Sequence, residues 1–139
     1  KMGTRFVATT ECDAHEKFKQ AYVDCREEDL VIIDSPVGLP GRAILSRLLT
    51  EVAHGEKKPL GCIWQCLRTC DVKKAPYCIA KALTSAKLGD LRNGFAFAGA
   101  NAYLVERITS VRELVASLIE EFETACRAAS GSLVLQTVN

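Results

Sequence analysis

Apolar residues recur at helical spacing in four stretches of the chain, and each stretch predicts an amphipathic helix. The last stretch has the clearest signals, because a capping box at Ser110-x-x-Glu113 precedes its apolar stripe. The first begins at Asp13, a good N-cap with Glu16 three residues later. The predicted helices cover residues 13–25, 42–53, 77–88 and 110–126, and the tail, residues 132–139, is predicted to be either a strand or frayed.

Two shorter apolar stretches predict strands, namely Lys1–Thr9 and the β-branched run Leu30–Asp34. Ser35–Gly41 contains two Pro and two Gly, so we predict an irregular loop that either packs down as a bend or borders a ligand. Phe95–Ala102 is small and apolar around Gly99, which allows close approach by a neighbour or a ligand. The chain is therefore predicted to be α+β, mostly helical with two or three short strands, in a single compact unit.

Length and charge restrict the function classes. The chain has 139 residues, the usual size of one domain, and its formal net charge of +1 gives no general case for binding nucleic acid or an anionic membrane. No apolar run approaches the length of a membrane span, so no membrane partner is expected. The seven cysteines are an odd number, and we expect reduced thiols in the cytoplasm rather than a disulfide scaffold.

Four of the cysteines lie close together, with the spacing C-x3-C-x3-C-x7-C. Four thiolates are a common ligand set for zinc or an iron–sulfur cluster. The row Cys62, Cys66 and Cys70 also fits one buried face of a helix, because residues four apart lie on the same side. In a straight helix Cys62 and Cys70 would be about 12 Å apart along the axis, too far to share an ion. No Gly or Pro interrupts the row, so we predict an unbroken helix with free thiols. The alternative ligand set is Cys62, Cys66, Cys70 and Cys78.

Several motifs in order along the chain resemble one family. They are GTRF at residues 3–6, TECDAHEKFKQAY at 10–22, DLVIIDSPVGLPGRAI at 29–44, KAPYCIAKAL at 74–83 and FAFAGANAY at 95–103. Together they resemble the nitronate monooxygenase (2-nitropropane dioxygenase) family, whose relatives include the flavin-containing enoyl-acyl carrier protein reductases. The resemblance implies the C-terminal part of a (β/α)8 barrel that binds FMN. Residues 1–29 would be the last barrel strand and the following helix, and residues 30–139 a mostly helical accessory segment.

The resemblance also implies where the chemistry lies. Gly3 and Thr4 match the position beside the FMN phosphate, where backbone N–H groups can approach an anion. The family's catalytic histidine lies upstream, and neither His15 nor His54 matches it, so no catalytic residue is expected in this chain. His15 is expected to be a solvated residue of a first helical turn, and His54 to sit at a helix end, where its cationic form would suit the helix dipole.

The implied activity is oxidation of a small-molecule nitronate by an intact enzyme that uses flavin and O2, with an enoyl-thioester reductase as the alternative. The chain alone would need the missing N-terminal part of the barrel, and we expect it to bind no FMN stably. An unpaired edge strand recruits other chains, which predicts a homo-oligomer with this strand or the apolar helix faces at the contact. Two alternatives from other classes remain open: a four-cysteine metal-binding module and a helical interaction module.

Overall fold

The computed structural model describes residues 2–58, 62 and 66–136, with side chains up to residue 130. Within these ranges the chain forms five α-helices and one two-stranded sheet, which confirms the predicted α+β class. Single 3-10 turns lie at Glu27–Asp29 and Ala102–Leu104. The elements are α1 (Gly3–Val7), α2 (Glu16–Val23), β1 (Leu30–Asp34), β2 (Pro40–Ile44), α3 (Arg47–Ala53), α4 (Ile79–Lys87) and α5 (Val111–Gln136).

The sheet is a hairpin in which β1 pairs antiparallel with β2, with Leu30 opposite Ile44. The connecting turn closes where the Gly38 N–H donates to the Ser35 carbonyl at 2.9 Å, and the φ of 86° at Gly38 suits a glycine. The prediction of a helix beginning at Arg42 is wrong over its first residues, which belong to β2. The backbone of β2 pairs on its second side with residues 96–98, through Ile44 N to Ala96 O at 2.9 Å.

The predicted strand at Lys1–Thr9 is also wrong, because Gly3–Val7 is the short helix α1. A strand must find its hydrogen-bond partners on a neighbouring strand, whereas a helix satisfies its backbone locally. In the described part of the chain the extended pairing here is limited to an isolated parallel bridge between Thr9 and Thr109. Without a flanking strand, residues 3–7 close their hydrogen bonds locally.

The helix boundaries follow their capping side chains. α5 begins as predicted, with the Glu113 carboxylate accepting from the Ser110 N–H at 2.9 Å. α2 begins later than predicted: His15 is its N-cap, and Asp13 instead forms an ion pair with Lys87 at 2.8 Å. α5 continues through Gln136, so the strand alternative for the tail is wrong for residues 132–136, and residues 137–139 lie outside the described ranges.

Two buried clusters lie on opposite sides of the β2 backbone, because successive residues of a strand point to opposite faces. Ala43 and Phe95 belong to one cluster, and Ile44 and Ala96 belong to the other. The first cluster joins the sheet to α3 and α4, and its buried members are Ala43, Leu48, Leu49, Tyr77, Ala82 and Phe95. The second joins it to α2 and to the second 3-10 turn, with Tyr22, Cys25, Ile44, Ala96 and Ala102 buried.

Helix α5 leaves much of its predicted apolar stripe uncovered. Leu114 is buried, whereas Ile119 is 56% exposed and Phe122 is 68% exposed. No helix in the described ranges has both the length and the apolar composition needed to cross a bilayer.

Candidate functional site

The N-terminal motif and the glycine-containing motif at residues 95–103 meet in space. The Gly99 N–H donates to the Thr4 hydroxyl oxygen at 2.9 Å, across 95 positions of sequence. A Cβ on residue 99 would lie 3.1 Å from that oxygen, so glycine leaves the room that the hydroxyl needs. A threonine hydroxyl that accepts one hydrogen bond can still donate its own proton. The predicted close approach at Gly99 is confirmed, and its neighbour is one of the two predicted cofactor-binding residues.

A cavity of about 530 Å³ opens beside this contact. Its volume falls within the range of small-molecule sites, roughly 300–1,000 Å³. Gly3 directly precedes the lining residue Thr4, and a Cβ placed on Gly3 would meet no atom within 4 Å. The backbone before Thr4 is therefore open to approach. The lining includes Met2, Thr4, Arg5, Gly99, Ala100, Asn101, Leu104, Val105 and Glu121.

One charged pair dominates the electrostatics of this cavity. Arg5 donates two hydrogen bonds to the Glu121 carboxylate, at 2.9 and 3.0 Å, and a third to the Ser117 hydroxyl at 3.2 Å. The hydrogen bond with Glu121 raises the pKa of Arg5, and the bond from Arg5 lowers the pKa of Glu121. The pair connects α1 to α5, and the Glu121 carboxylate balances the charge of the Arg5 guanidinium. An anion in the cavity would therefore compete with Glu121 for Arg5.

Both histidines occupy helix ends. His15 caps α2, with its Nδ1 accepting from the Lys17 N–H at 3.1 Å, and its own backbone N–H donates to the Lys87 carbonyl at 2.9 Å. His54 is the C-cap of α3, with Nδ1 2.7 Å from the Thr50 carbonyl oxygen. Each ring contacts local backbone, and the position of His54 at a helix end is as predicted from the sequence. The capping role of His15 was not predicted, because histidine is not among the preferred N-cap residues.

The predicted cysteine helix is wrong over the described part of that segment. Cys66 lies outside any helix, and Cys70 donates its N–H to the Leu67 carbonyl at 3.1 Å in a turn. Cys78 is the N-cap of α4. Residues 63–65, including Ile63 and Trp64 of the predicted helix, lie outside the described ranges. A further turn follows at once, because the Asp71 side chain accepts from the Lys73 N–H at 3.0 Å and competes with helical pairing.

The four thiols lie in one region without forming a preassembled metal site. Burial raises the pKa of the Cys70 thiol, and charge on Cys62, Cys66 and Cys78 raises it further. Among the described residues, no three His, Cys, Asp or Glu side chains are placed to hold a metal ion. All seven cysteines are free.

Sequence reasoning identified Thr4 and Gly99 but missed Arg5 and Glu121. The two charged residues are 116 positions apart, and no spacing in the sequence links Arg5 in the first motif to Glu121 among the acidic residues of α5. The pairing of α1 with α5 in three dimensions is what selects them.

Comparison with known proteins supports the motif resemblance. A family model described as nitronate monooxygenase matches residues 1–121. FabK from Thermotoga maritima has a similar fold, with a TM-score of 0.70 and 23% identity over 92% of this chain. A mutant of the same protein gives a TM-score of 0.67 at 22% identity, also over 92% of this chain. This chain covers 38% and 34% of those two chains, so it spans little more than a third of their length. No curated protein sequence matches the chain.

Proposed function

Because this chain belongs to the nitronate monooxygenase family, we propose that it is the C-terminal part of an FMN-dependent oxidoreductase that oxidises nitronates with O2. The observation that carries the proposal is the family match over residues 1–121, joined to the contact between Thr4 and Gly99. That contact brings together two motifs that lie far apart in sequence, beside a cavity of ligand size. The fold similarity to FabK supports the barrel architecture of the intact enzyme.

The part of the site that this chain would supply is the phosphate end of FMN. Gly3 offers an open backbone, and Thr4 offers a hydroxyl that is held in place by the Gly99 N–H. Backbone and hydroxyl donors of this kind suit a phosphate, and glycine permits its close approach. The bound flavin would carry out the redox step, while these residues bind and orient it. Arg5 would remain paired with Glu121 and hold α1 against α5.

The groups that react with substrate would lie in the rest of the intact enzyme. His15 and His54 are engaged at helix ends, and neither lines the cavity beside Thr4. We therefore expect the isolated chain to have no nitronate turnover and to retain no FMN through purification. A flavin content near one per isolated chain would contradict this assignment.

The test uses the full-length protein, purified and stripped of oxygen. A yellow flavin band that a nitronate bleaches supports the proposed activity. Bleaching by NAD(P)H alone supports the second candidate, an enoyl-thioester reductase. That candidate is favoured by the resemblance to flavin-containing enoyl-acyl carrier protein reductases. Absence of flavin, or flavin that neither reagent reduces, would contradict both.

A matched pair of variants tests the phosphate assignment. Thr4→Val removes the hydroxyl at nearly constant volume and should lower the flavin content of the full-length protein several-fold. Thr124→Val is the control, because Thr124 is exposed on α5 and outside the cavity. Equal flavin content in both variants would contradict the assignment of Thr4 to the phosphate site.

We also propose that the isolated chain self-associates through the exposed stripe of α5. Ile119 and Phe122 present a large apolar area to solvent, which typically marks a contact surface. Phe122→Glu should shift a dimer towards the monomer in sedimentation velocity, whereas Thr124→Glu on the same helix should not. A wild-type chain that stays monomeric at all concentrations would refute the proposal.

A further inference from the structure

A second cavity, of about 370 Å³, lies along helix α4. Lys81 and Ser85 are four residues apart on this helix, and Ala82 lies three residues before Ser85, so all three share the helix face that lines the cavity. Its volume falls within the range of small-molecule sites, roughly 300–1,000 Å³. The cavity shares no lining residue with the cavity beside Thr4, so the proposed flavin chemistry makes no use of it.

The residues that follow α4 form another wall, which is held by its own hydrogen bonds. The Asp90 carboxylate accepts from the Arg92 N–H at 3.1 Å and from the Asn93 N–H at 3.2 Å. It also accepts from the Asn93 side-chain amide at 2.8 Å, so the charge of Asp90 is engaged within its own turn. A Cβ on Gly94 would overlap the Ala82 carbonyl oxygen, which shows that the chain packs directly against α4 here. The cavity therefore has two fixed walls.

The hydroxyl of Tyr77 is an independent sign of a ligand. Tyr77 is 3% exposed and lines the cavity, and its hydroxyl has no hydrogen-bond partner among the described residues. Its ring belongs to the first buried cluster, with Leu48 and Phe95, so its polar neighbours are those of the cavity. Buried hydroxyls in folded proteins nearly always have a partner, because a desolvated hydroxyl without one costs free energy. A ligand in the cavity supplies the partner that this hydroxyl lacks.

The polar side chains of the lining favour an anionic ligand. Lys58 is engaged by Glu51 and Glu56, whereas exposed Lys81 forms no ion pair in the described part of the chain. An ammonium group only donates hydrogen bonds, and the hydroxyl of Ser85 can also donate. A carboxylate is the matching group, because it carries negative charge and only accepts hydrogen bonds.

We propose that this cavity binds a small carboxylate with an apolar body. The carboxylate accepts from the hydroxyls of Tyr77 and Ser85 and pairs with the Lys81 ammonium group. The apolar body lies against Leu48 and Ala82, which are 2% and 3% exposed. An apolar lining with a few polar groups that fix orientation is typical of small-molecule sites.

Calorimetric titration of the full-length protein with hexanoate and with benzoate, at low salt, tests the proposal. We expect saturable binding of both, and much weaker binding of hexanol and benzyl alcohol, which have the same apolar bodies without the charge. Added salt should weaken carboxylate binding, because the charge of exposed Lys81 is screened. Failure of both carboxylates to bind saturably overturns the proposal, and so does equal binding of the carboxylates and the alcohols.

Two variants locate the site. Tyr77→Phe should weaken hexanoate binding roughly tenfold or more, because it removes a donor to a charged acceptor, yet it should leave the ligand-free protein as stable as the wild type. Tyr22→Phe is the matched control, because it removes the same oxygen outside this cavity and should leave the affinity unchanged. Lys81→Gln, at an exposed position, should also weaken binding, whereas Lys17→Gln, exposed and outside this cavity, should not.

The variants also give the results that would refute the site. Wild-type hexanoate affinity in both Tyr77→Phe and Lys81→Gln overturns the proposal. Equal loss of affinity in Tyr77→Phe and Tyr22→Phe overturns it as well, because only one of these hydroxyls borders the cavity.

Discussion

Two buried tyrosines offer the same chemical change in two different hydrogen-bonding environments. Tyr22 is 2% exposed, and its hydroxyl donates to the Phe97 carbonyl at 2.7 Å. Tyr77 is 3% exposed, and its hydroxyl has no hydrogen-bond partner among the described residues. Both rings pack edge-on to a phenylalanine, Tyr22 on Phe18 and Tyr77 on Phe95. Tyr22→Phe and Tyr77→Phe therefore remove one oxygen from similar apolar surroundings.

The expected magnitudes differ because one oxygen is hydrogen-bonded and the other is not. A typical buried hydrogen bond contributes about 0.5–1.5 kcal/mol, and a carbonyl left unpaired can cost about 1–3 kcal/mol. Phe97 is 38% exposed, so water can partly replace the lost donor, and we expect Tyr22→Phe to cost about 1–2 kcal/mol. Tyr77→Phe removes a hydroxyl that is desolvated without compensation, so it should be neutral or slightly stabilising.

Urea denaturation followed by circular dichroism measures both changes as shifts in midpoint at constant slope. The difference in unfolding free energy between the two variants should not vary between pH 6 and 9. Burial raises the pKa of each phenol to about 12, so both stay protonated over this range. The melting temperature of the Tyr22→Phe variant should be lower than that of the wild-type chain by on the order of 3–6 °C. A Tyr77→Phe loss as large as that of Tyr22→Phe would refute the reasoning.

Three further outcomes follow from local geometry. Gly94→Ala should destabilise the chain strongly, because the added Cβ would lie within 3 Å of the α4 backbone; Gly3→Ala, in open space, is the control for stability. Hydrogen bonds from Ser110 and Thr109 lower the pKa of Glu113 to about 2, so its stabilisation is present above its ordinary pKa and is lost as pH falls from about 4.5 to 2. In urea denaturation repeated at several pH values, Glu113→Ala should remove the loss of stability that Glu113 causes between pH about 4.5 and 2. Ser46→Ala should cost about 1 kcal/mol in urea denaturation by removing the cap of α3, and an unchanged midpoint would contradict it.

The elements that could be predicted from sequence are those whose signals are local. The capping box at Ser110 and Glu113 fixes the start of α5, and the β-branched run Leu30–Asp34 fixes β1. Both depend on residues a few positions apart, so the sequence contains the whole interaction. The family could also be recognised from the sequence, because several short motifs, including the one at Gly3 and Thr4, occur in the expected order.

The site required the tertiary structure because its contacts join distant residues. No local pattern links Thr4 to Gly99, or Arg5 to Glu121, until α1 packs beside residues 99–105 and α5. The strand predicted at residues 1–9 was wrong for the same reason. A strand needs a neighbouring strand for its hydrogen bonds, whereas a helix makes its hydrogen bonds within itself.

The sequence by itself determined the start of α5, the hairpin's first strand and the set of cysteines. Tertiary structure decided the pairing of Pro40–Ile44 as β2 and the loop conformation at Cys66–Cys70. Pro40 and Gly41 were predicted in an irregular loop and residues 42–44 in a helix, but pairing with β1 and with residues 96–98 satisfies both edges of this backbone. The cysteine row has helical spacing, yet its described residues from Cys66 to Cys70 lie in turns, followed by the turn at Asp71 and by a hydrogen bond from the Lys58 N–H to the Pro76 carbonyl. At β2 non-local hydrogen bonds outweigh the helical periodicity, and at Cys66–Cys70 local turns do so; the periodicity is itself only a weak preference.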